Sequence, residues 1–427
     1  MKLITKPTRT LIALTFALLL FTTTTSLAKA ISSDRELVRP QQQKTQKQTQ
    51  TVPKKTPTTG DPLPAADKIW TIGALLPMTG EYATIGQRFH RGLKLALTAD
   101  PAHDNHKWHL VLLDSAKTPP ATAIEQLKDN RATIILGPIQ SKLAQPAAKK
   151  AIACRLPIIL MAPQPQLTRL GKYVFQHFLS AANQAREIAR FLRQRDEVSI
   201  GLIHPDNDFG NDFEAAFANS CRNVKITIEK SSLYSPNDTD FSLAIKKLQN
   251  NANPTTNPQI PSYPFAALVI ADFYPRLRLL APQLTFHNLG KYRLYGTRGG
   301  NDPRLEKEAG ADLEGAIFLD LCLNLTKPPR TTITYQKLYL KTYREPASIY
   351  DAYAYDTITI LKQARELINH ARAADIPEAL LKLRPLKLAT GLTTVSDDGE
   401  FSKQLYPIIF RNRKRCPLNE TAPRTSR

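Results

Sequence analysis

The chain of 427 residues has few cysteines and no long apolar segment beyond its N-terminal region. Its four cysteines, Cys154, Cys221, Cys322 and Cys416, never stand at the close Cys-x-x-Cys spacing of a zinc or redox site. They leave two alternatives open: free thiols, or one or two disulfides with three pairings to choose from. Because no later run is apolar enough to cross a bilayer, we expect no transmembrane anchor after the N-terminal region.

Sequence motifs of several enzyme classes are also missing. Gly80 and Gly86 follow the first apolar run, but this loop has neither Gly-Lys-Ser/Thr for a phosphate nor Gly-x-Gly-x-x-Gly for a dinucleotide. No Gly-x-Ser-x-Gly or Cys/His arrangement occurs. His103, His106 and His109 are three residues apart, but they flank a polar turn, which indicates a solvated loop rather than a metal site. We therefore predict a protein that is not an enzyme and that uses no cofactor.

Acidic residues are outnumbered by basic ones, 37 to 58, which makes the formal net charge +21. Such a charge favours nucleic-acid binding in a cytoplasmic protein, but no nucleic-acid motif accompanies it. The N-terminal region also argues against this partner: Lys2, Lys6 and Arg9 precede an apolar run at 11–21 and a small-residue site at 28–30. That order is typical of a secretory signal peptide. We interpret the charge as a surface property that favours an acidic partner in the cell envelope.

The ends of the chain are predicted to lie outside the folded part. Residues 1–30 are interpreted as a signal peptide cleaved after Ala30, without a lipid anchor, because Ile31 stands where a lipoprotein needs Cys. Residues 31–67 are rich in Gln, Thr, Lys and Pro, so a disordered basic linker is expected. Residues 417–427 are interpreted as a tail. The mature protein is expected to be soluble and periplasmic.

Between linker and tail, apolar runs of strand length alternate with amphipathic, helix-like stretches. These runs form two consecutive series, at 69–76, 108–113, 133–136 and 157–161, and then at 198–203, 224–228, 265–270, 292–296 and 315–319. Near-continuous apolar strands separated by helical patterns predict parallel sheets covered on both faces. The predicted fold class is therefore α/β with two Rossmann-like lobes. The cleft between the lobes is the default ligand site.

Two loops that follow predicted strands carry the first candidate ligand-binding residues. Gly80 allows a sharp turn that displays Tyr82, whose ring and hydroxyl suit the wall of a cleft. In the second loop a strand ends at Gly137, and Ser141 can cap the following helix. A helix N-terminus with a free hydroxyl beside it favours a carboxylate or another anion. A cap without a ligand is the alternative reading of Ser141.

Several segments, in their order along the chain, resemble the type I periplasmic binding proteins, which include the leucine/isoleucine/valine-binding proteins of ABC importers. They include IGALLPMTGEYATIGQRFHRGLKLAL (72–97), ILGPIQS (135–141), GLIHPDNDFGNDFEAAF (201–217) and YDAYAYDTITIL (350–361). The resemblance covers residues 69–417. It implies a clamshell of two α/β lobes joined by three crossovers, with a small molecule closed between them.

Carried onto this chain, the resemblance implies the bounds of each lobe. Lobe one comprises 68–180 and 325–392. Lobe two comprises 181–324 and a C-terminal hairpin at 393–416. The cleft residues that it implies are Tyr82, Ser141, Asp206, Phe209, Tyr274 and Arg298, with no metal ligands.

Two departures from the family's pattern bear on the ligand. The segment MAPQPQLT at 161–168 replaces the hydroxyl-rich segment that meets the substrate carboxylate in amino-acid binders. Arg298 stands where those proteins commonly have a Glu that pairs with the ligand's ammonium group. Since arginine repels an ammonium and attracts a carboxylate or phosphate, we expect an anionic or amino-acid-related ligand. The alternative is that Arg298 points to solvent.

Two functions remain open. The first is a solute receptor that closes over its ligand and delivers it to an ABC permease. The second follows from YVFQHFLSAANQAREI at 173–188, which resembles the branch of penicillin-binding-protein activators. That resemblance implies a non-catalytic envelope protein that regulates a peptidoglycan synthase through protein contacts.

Overall fold

The first sheet forms from the leading series of apolar runs. Its strands are β1 (Ile69–Leu76), β2 (Lys107–Asp114), β3 (Ile134–Leu136), β4 (Ile158–Leu160) and β5 (Val174–Gln176). They lie in the order β2-β1-β3-β4-β5, and every neighbouring pair is parallel. β3, β4 and β5 are buried along their whole length, which accounts for runs without polar alternation.

The structure is a computed structural model and describes residues 69–99, 107–249, 263–368 and 372–418. These residues belong to one compact unit that spans Pro62–Arg427. The predicted signal peptide at 1–30 and linker at 31–67 lie outside the described residues, as does the predicted tail from residue 419 onward.

The remaining strands form a second and a third sheet. In chain order they are β6 (Ser199–Pro205), β7 (Thr227–Tyr234), β8 (Ala267–Ile270), β9 (Arg293–Gly296), β10 (Ile317–Asp320), β11 (Leu386–Leu388), β12 (Gly391–Val395), β13 (Phe401–Lys403), β14 (Tyr406–Arg411) and β15 (Lys414–Pro417). The second sheet has the order β15-β14-β10-β9-β8-β6-β7, with β14 and β15 antiparallel at one edge. β11, β12 and β13 form a small antiparallel sheet of their own.

Helices connect the strands of both parallel sheets. They are α1 (Ala83–Thr98), α2 (Pro120–Asp129), α3 (Ser141–Ala153), α4 (Ala181–Gln194), α5 (Asp208–Asn223), α6 (Ser242–Lys247), α7 (Tyr274–Phe286), α8 (Leu305–Glu308), α9 (Arg330–Tyr343), α10 (Ile349–Arg365) and α11 (Ile376–Leu381). Local sequence sets several helix starts. Ser348 and Asp351 form a capping box at the start of α10, and the Ser180 hydroxyl accepts a hydrogen bond from the Asn183 N–H at the start of α4. The predicted α/β class with parallel sheets is confirmed.

The chain passes between the two parallel sheets three times. It leaves the first sheet after β5 and enters the second through α4 and β6. After β10 it returns to the first sheet, where α10 packs against α1. It then crosses again through β11–β13 and ends in β14 and β15. The bounds of the two lobes stay a prediction.

Two local predictions need correction. The strand predicted at 224–228 begins only at Thr227, because α5 continues to Asn223 and Ile226 donates its N–H to the Cys221 carbonyl in the helix-terminal turn. The single hairpin predicted at 393–416 is two hairpins: β12–β13, which joins β11, and β14–β15, which joins the second sheet. Of the alternatives for the cysteines, all four are free thiols.

A buried ion pair joins the third sheet to α10. The Lys403 ammonium lies 3.8 Å from Asp356 Oδ2 and donates a hydrogen bond to Thr393 Oγ1 at 2.8 Å. The same carboxylate accepts hydrogen bonds from the N–H groups of Ala389 and Thr390 at 2.8 and 2.9 Å. Both charged side chains are almost fully buried. Because a buried charge is tolerated only when it is paired and hydrogen-bonded, this cluster ties the third chain crossing to α10.

The close contact of α1 with α10 depends on Gly92. A Cβ at this position would overlap the Asp351 carbonyl oxygen and lie 2.8 Å from the Ala354 Cβ. Alanine favours a helix over glycine by about 1 kcal/mol, so a loosely packed site would be stabilised by Gly92→Ala. We expect instead a loss of about 1–3 kcal/mol in the free energy of unfolding, measured with denaturant. Lys94→Ala, on the exposed face of α1, serves as the control and should change little.

The burial of Lys403 predicts that the free energy of unfolding depends on pH. Burial lowers the pKa of Lys403 to about 8 from the ordinary 10.5. Between these values the folded chain binds fewer protons at this site than the unfolded chain, so its contribution to the free energy of unfolding rises with pH. The full effect is on the order of 3 kcal/mol. The difference in unfolding free energy between wild type and Lys403→Met should therefore grow across this window.

The matched control is Lys382→Met, because Lys382 is an exposed lysine that pairs with Glu378 on α11. Denaturant unfolding at several pH values should give a flat difference for this variant. If the difference in unfolding free energy between wild type and Lys403→Met stays flat or falls as the pH rises, the lowered pKa of Lys403 is contradicted.

Candidate functional site

A cavity of about 940 Å³ lies where loops from the two parallel sheets meet, and we call it the central cavity. The first sheet contributes the start of α3 after β3, residues 163–166 after β4 and residues 178–179 after β5. The second sheet contributes the start of α5 after β6, Phe273 after β8 and Arg298 after β9. These loops all follow the carboxyl ends of parallel strands, which is where open α/β sheets bind their ligands.

Aromatic rings form two walls of the central cavity. Phe178 and Tyr350 are nearly parallel, with ring centroids 6.5 Å apart and an interplanar angle of 11°. Phe209 and Phe273 lie on the side of the second sheet, with centroids 4.7 Å apart. All four side chains are half-buried, so each keeps part of its ring accessible. Such surfaces can hold the apolar or planar part of a small molecule.

Polar and charged side chains line the same cavity. Ser141, Lys142 and Gln145 belong to the start of α3, and Gln164 and Gln166 follow β4. These five groups can donate or accept hydrogen bonds on the side of the first sheet.

Two carboxylates face the central cavity from the side of the second sheet. Asp208 and Asp212 stand one turn apart on α5. Burial raises the pKa of Asp212, and the charge of Asp208 raises it further. Among the described residues neither carboxylate has a basic partner.

Ser141 lines the cavity, but it does not cap α3. Gln140 occupies the N-cap position in an extended conformation, and Ser141 is the first helical residue. The Gln140 amide oxygen accepts a hydrogen bond from the Ser115 hydroxyl at 2.9 Å instead of capping the helix. The prediction that Ser141 caps α3 is therefore wrong, because the helix begins one residue earlier than expected. The hydroxyl of Ser141 stays exposed at the helix N-terminus.

Three of the six predicted cleft residues do not line the central cavity. Tyr82 stands at the N-cap of α1 with 44% of its surface exposed. Asp206 is exposed and accepts a hydrogen bond from the Asn211 amide at 3.2 Å. Tyr274 lines a neighbouring cavity of about 510 Å³, where its hydroxyl donates to Glu308 Oε1 at 2.7 Å. Its ring lies 3.8 Å from the Arg304 guanidinium carbon.

Ser141, Phe209 and Arg298 do line the central cavity, and whether they bind a ligand stays a prediction. The sequence reasoning missed Asp208, Asp212 and Phe273. A usable signal was present in each case. Asp208 and Asp212 have the four-residue spacing of one helix face, and Phe273 is an aromatic residue three positions after the apolar run of β8.

Arg298 is paired with a buried carboxylate. Its Nε lies 3.5 Å from Asp320 Oδ1, and Asp320 is 1% exposed. Asp320 otherwise accepts hydrogen bonds from neutral donors, including the Asn301 amide at 2.9 Å and the Leu321 N–H at 2.7 Å. The main-chain N–H of Arg298 donates to Gln184 Oε1 at 3.2 Å. The guanidinium thus lines the cavity while it balances the charge of Asp320, an arrangement that neither sequence alternative included.

Within residues 69–99, 107–249, 263–368 and 372–418, no three His, Cys, Asp or Glu side chains converge to hold a metal ion. The same residues contain no helix that is both long and apolar enough to cross a membrane.

Comparisons with known proteins agree with this architecture. A family model described as periplasmic binding protein matches residues 69–409. The chain is 23% identical over 351 residues to the Leu/Ile/Val-binding protein homolog 3 of Brucella melitensis, covering 79% of this chain and 90% of the relative.

Among solved structures, the chain is similar to a putative branched-chain amino acid ABC transporter from Rhodospirillum rubrum. The TM-score is 0.71 at 17% identity, over 82% of this chain and 100% of the other. It also resembles a branched-chain amino acid transporter substrate-binding protein from Streptococcus pneumoniae, solved in complex with isoleucine. There the TM-score is 0.56 at 20% identity, over 82% and 98% of the two chains. At these identities the structures show a shared fold.

The pairing of Arg298 with Asp320 can be tested by a double-mutant cycle. Arg298→Met should lower the free energy of unfolding by about 3 kcal/mol, because it leaves the Asp320 carboxylate buried without a cation. Arg298→Met combined with Asp320→Asn should recover most of that loss. The measurement is denaturant unfolding of the two single variants and the double variant. Strictly additive losses would show that the two side chains are independent.

Proposed function

The chain belongs to the periplasmic binding protein family, and from this premise we propose that it is an exported solute receptor of the Leu/Ile/Val-binding type. The receptor holds a small molecule in the central cavity and presents it to an ABC permease. No chemical step is part of this function. The exported location rests on the family and on the signal-like sequence at 1–30.

The central cavity carries this proposal. Its volume of about 940 Å³ is within the range of small-molecule sites. One pair of aromatic rings, Phe178 and Tyr350, comes from the side of the first sheet, and the other, Phe209 and Phe273, from the second. A solute that contacts both pairs interacts with the two sides at once. Only such differential contact can favour a closed arrangement over an open one.

The lining favours an amino-acid-related solute. A carboxylate of the ligand is placed next to Ser141 and Lys142, where the N-terminus of α3 offers unsatisfied N–H groups and a positive dipole end. An ammonium group is placed at Asp208 and Asp212 on the opposite side. A purely anionic ligand is less well supported, because Arg298 already balances the buried charge of Asp320.

The comparisons support uptake over the alternative of peptidoglycan-synthase regulation. The Brucella melitensis relative is named for binding leucine, isoleucine and valine, and the Streptococcus pneumoniae structure contains isoleucine. Both matches extend over most of the folded part of this chain.

Native mass spectrometry of the protein purified from its own envelope fraction tests the proposal. Wild type should retain a discrete small molecule, or should be stabilised against heat by one member of a panel of amino acids. Phe209→Ala removes one aromatic wall and should weaken that binding by about tenfold. Phe286→Ala is the matched control, because Phe286 is 82% exposed on α7 and lies outside the central cavity.

Two outcomes would count against the receptor. One is a wild-type protein that is empty and that no amino acid stabilises. The other is equal weakening in Phe209→Ala and Phe286→Ala, which would place the binding site elsewhere.

A further inference from the structure

The charges around the central cavity do not cancel. Four charged side chains line it: Lys142, Asp208, Asp212 and Arg298. Which of them can meet a ligand depends on which are already engaged with other groups of the protein. The charges of the side chains that are not engaged determine which net charge on a bound solute would balance the cavity lining.

Arg298 is engaged. Its Nε lies 3.5 Å from the carboxylate of Asp320, at ion-pair distance but without a hydrogen bond, and the described hydrogen-bond donors of Asp320 are neutral. Turning the guanidinium toward a ligand anion would leave Asp320 charged, buried and without a cation, which is strongly unfavourable. The charge of Asp320 therefore offsets the positive charge of Arg298 in the charge balance of the cavity lining.

Asp208 and Asp212 are available. They lie four residues apart on α5, a spacing that brings their side chains to within about 6 Å on one helix face. Neither has a basic partner in the described part of the chain. Two carboxylates at this spacing repel each other, and the raised pKa of Asp212 reflects both its burial and that repulsion. A cation placed between them would relieve it.

The aromatic side chains next to these carboxylates add to the attraction. Phe209 directly follows Asp208 in the sequence. The ring centroid of Phe273 lies 4.7 Å from that of Phe209. The faces of such rings attract ammonium and guanidinium groups through their quadrupole. Carboxylates beside aromatic faces form a surface suited to an organic cation. An aliphatic side chain such as that of leucine would gain contact from the rings alone.

Lys142 is the remaining cation. It is exposed at the start of α3, on the side of the first sheet, and it complements one carboxylate of a ligand. With Arg298 engaged, two protein carboxylates face one protein ammonium across the cavity. A solute that complements this lining carries a net positive charge.

We propose that the central cavity selects a cationic solute, such as a basic amino acid or a small diamine. This inference rests on the proposed receptor function and specifies its substrate class. The cationic group lies between Asp208 and Asp212 against Phe209, and a carboxylate, where the solute has one, lies at Lys142. The preference separates this chain from relatives that are named for leucine, isoleucine and valine.

Isothermal titration calorimetry of the mature protein with four probes tests the charge preference. The probes are L-arginine, 1,4-diaminobutane, L-leucine and L-glutamate. L-arginine should bind at least tenfold more tightly than L-leucine and L-glutamate. Asp208→Asn and Asp212→Asn should each weaken L-arginine and the diamine about tenfold or more, and thermal unfolding should verify that both variants fold.

Two further variants locate the effect. Lys142→Gln should weaken L-arginine, which has a carboxylate, and should leave the diamine unchanged or tighter. Asp129→Asn removes one exposed carboxylate of α2 that does not line the cavity, and it should leave the affinity for both probes unchanged. Together these variants distinguish a local contact from a general effect of protein charge.

The outcomes separate this inference from the receptor proposal. The charge preference is overturned if L-leucine or L-glutamate binds at least as tightly as L-arginine. If Phe209→Ala still weakens that binding, the proposed receptor function is retained. Unchanged affinity for L-arginine in both aspartate variants also overturns the charge preference. If none of the four probes binds, the solute retained from the envelope is identified by its mass. A net positive charge on that solute supports the charge preference, and a neutral or negative one overturns it. No binding together with no retained solute overturns both proposals.

Discussion

Both parallel sheets of this protein must be covered on both faces, and the rest of the structure follows from that constraint. A parallel pair of strands cannot be joined by a tight turn, so each connection carries a helix that covers one face. The central strands consequently lose polar alternation and their side chains are committed to the core, whereas the edge strands β2 and β7 stay partly exposed. Polar residues gather in the loops at the strand ends. The central cavity is lined by such loops from both sheets, and its chemistry can vary without any change in the core.

Buried carboxylates recur around the passages between the sheets, and each has a cation beside it. Asp320, at the end of β10, is paired with Arg298, and Asp356, within α10, is paired with Lys403. Both carboxylates also accept several hydrogen bonds from main-chain or amide donors. Removing either cation would leave a buried charge uncompensated, so these basic residues are held in place by the fold. A cation in a cavity wall is therefore available to a ligand only if no buried acid already requires it.

The comparisons identify the family and the fold of this chain but not its ligand. Identities of 17 to 23% over most of the folded part accompany a shared architecture. The proline-containing segment at 163–166 and the carboxylates on α5 are features of this chain's own lining. We expect differences in such loops, rather than changes in the core, to determine which solutes receptors of one fold bind.

The sequence by itself determined the class and the order of elements, because periodicity is a local property. Each predicted strand-like run overlaps a strand, and the collinear segments identified the family that the comparisons show. Two short strands were not predicted: β5 (VFQ) and β11 (LKL), in which a polar residue ends or interrupts the apolar run. The ends of the C-terminal hairpins were likewise not readable, since their partners lie in two different sheets.

The composition of the site was decided by the tertiary structure. Loop residues such as Tyr82, Asp206 and Tyr274 look as suitable for a cleft as Ser141 and Phe209, and only the three-dimensional arrangement separates them. The partner of Arg298 comes from a strand about 20 residues further along, at a spacing that no pattern marks. Which side chains meet, and hence which charges remain free for a ligand, depends on how the loops of two sheets converge. That is a non-local property, and a single sequence does not encode it in any period or motif.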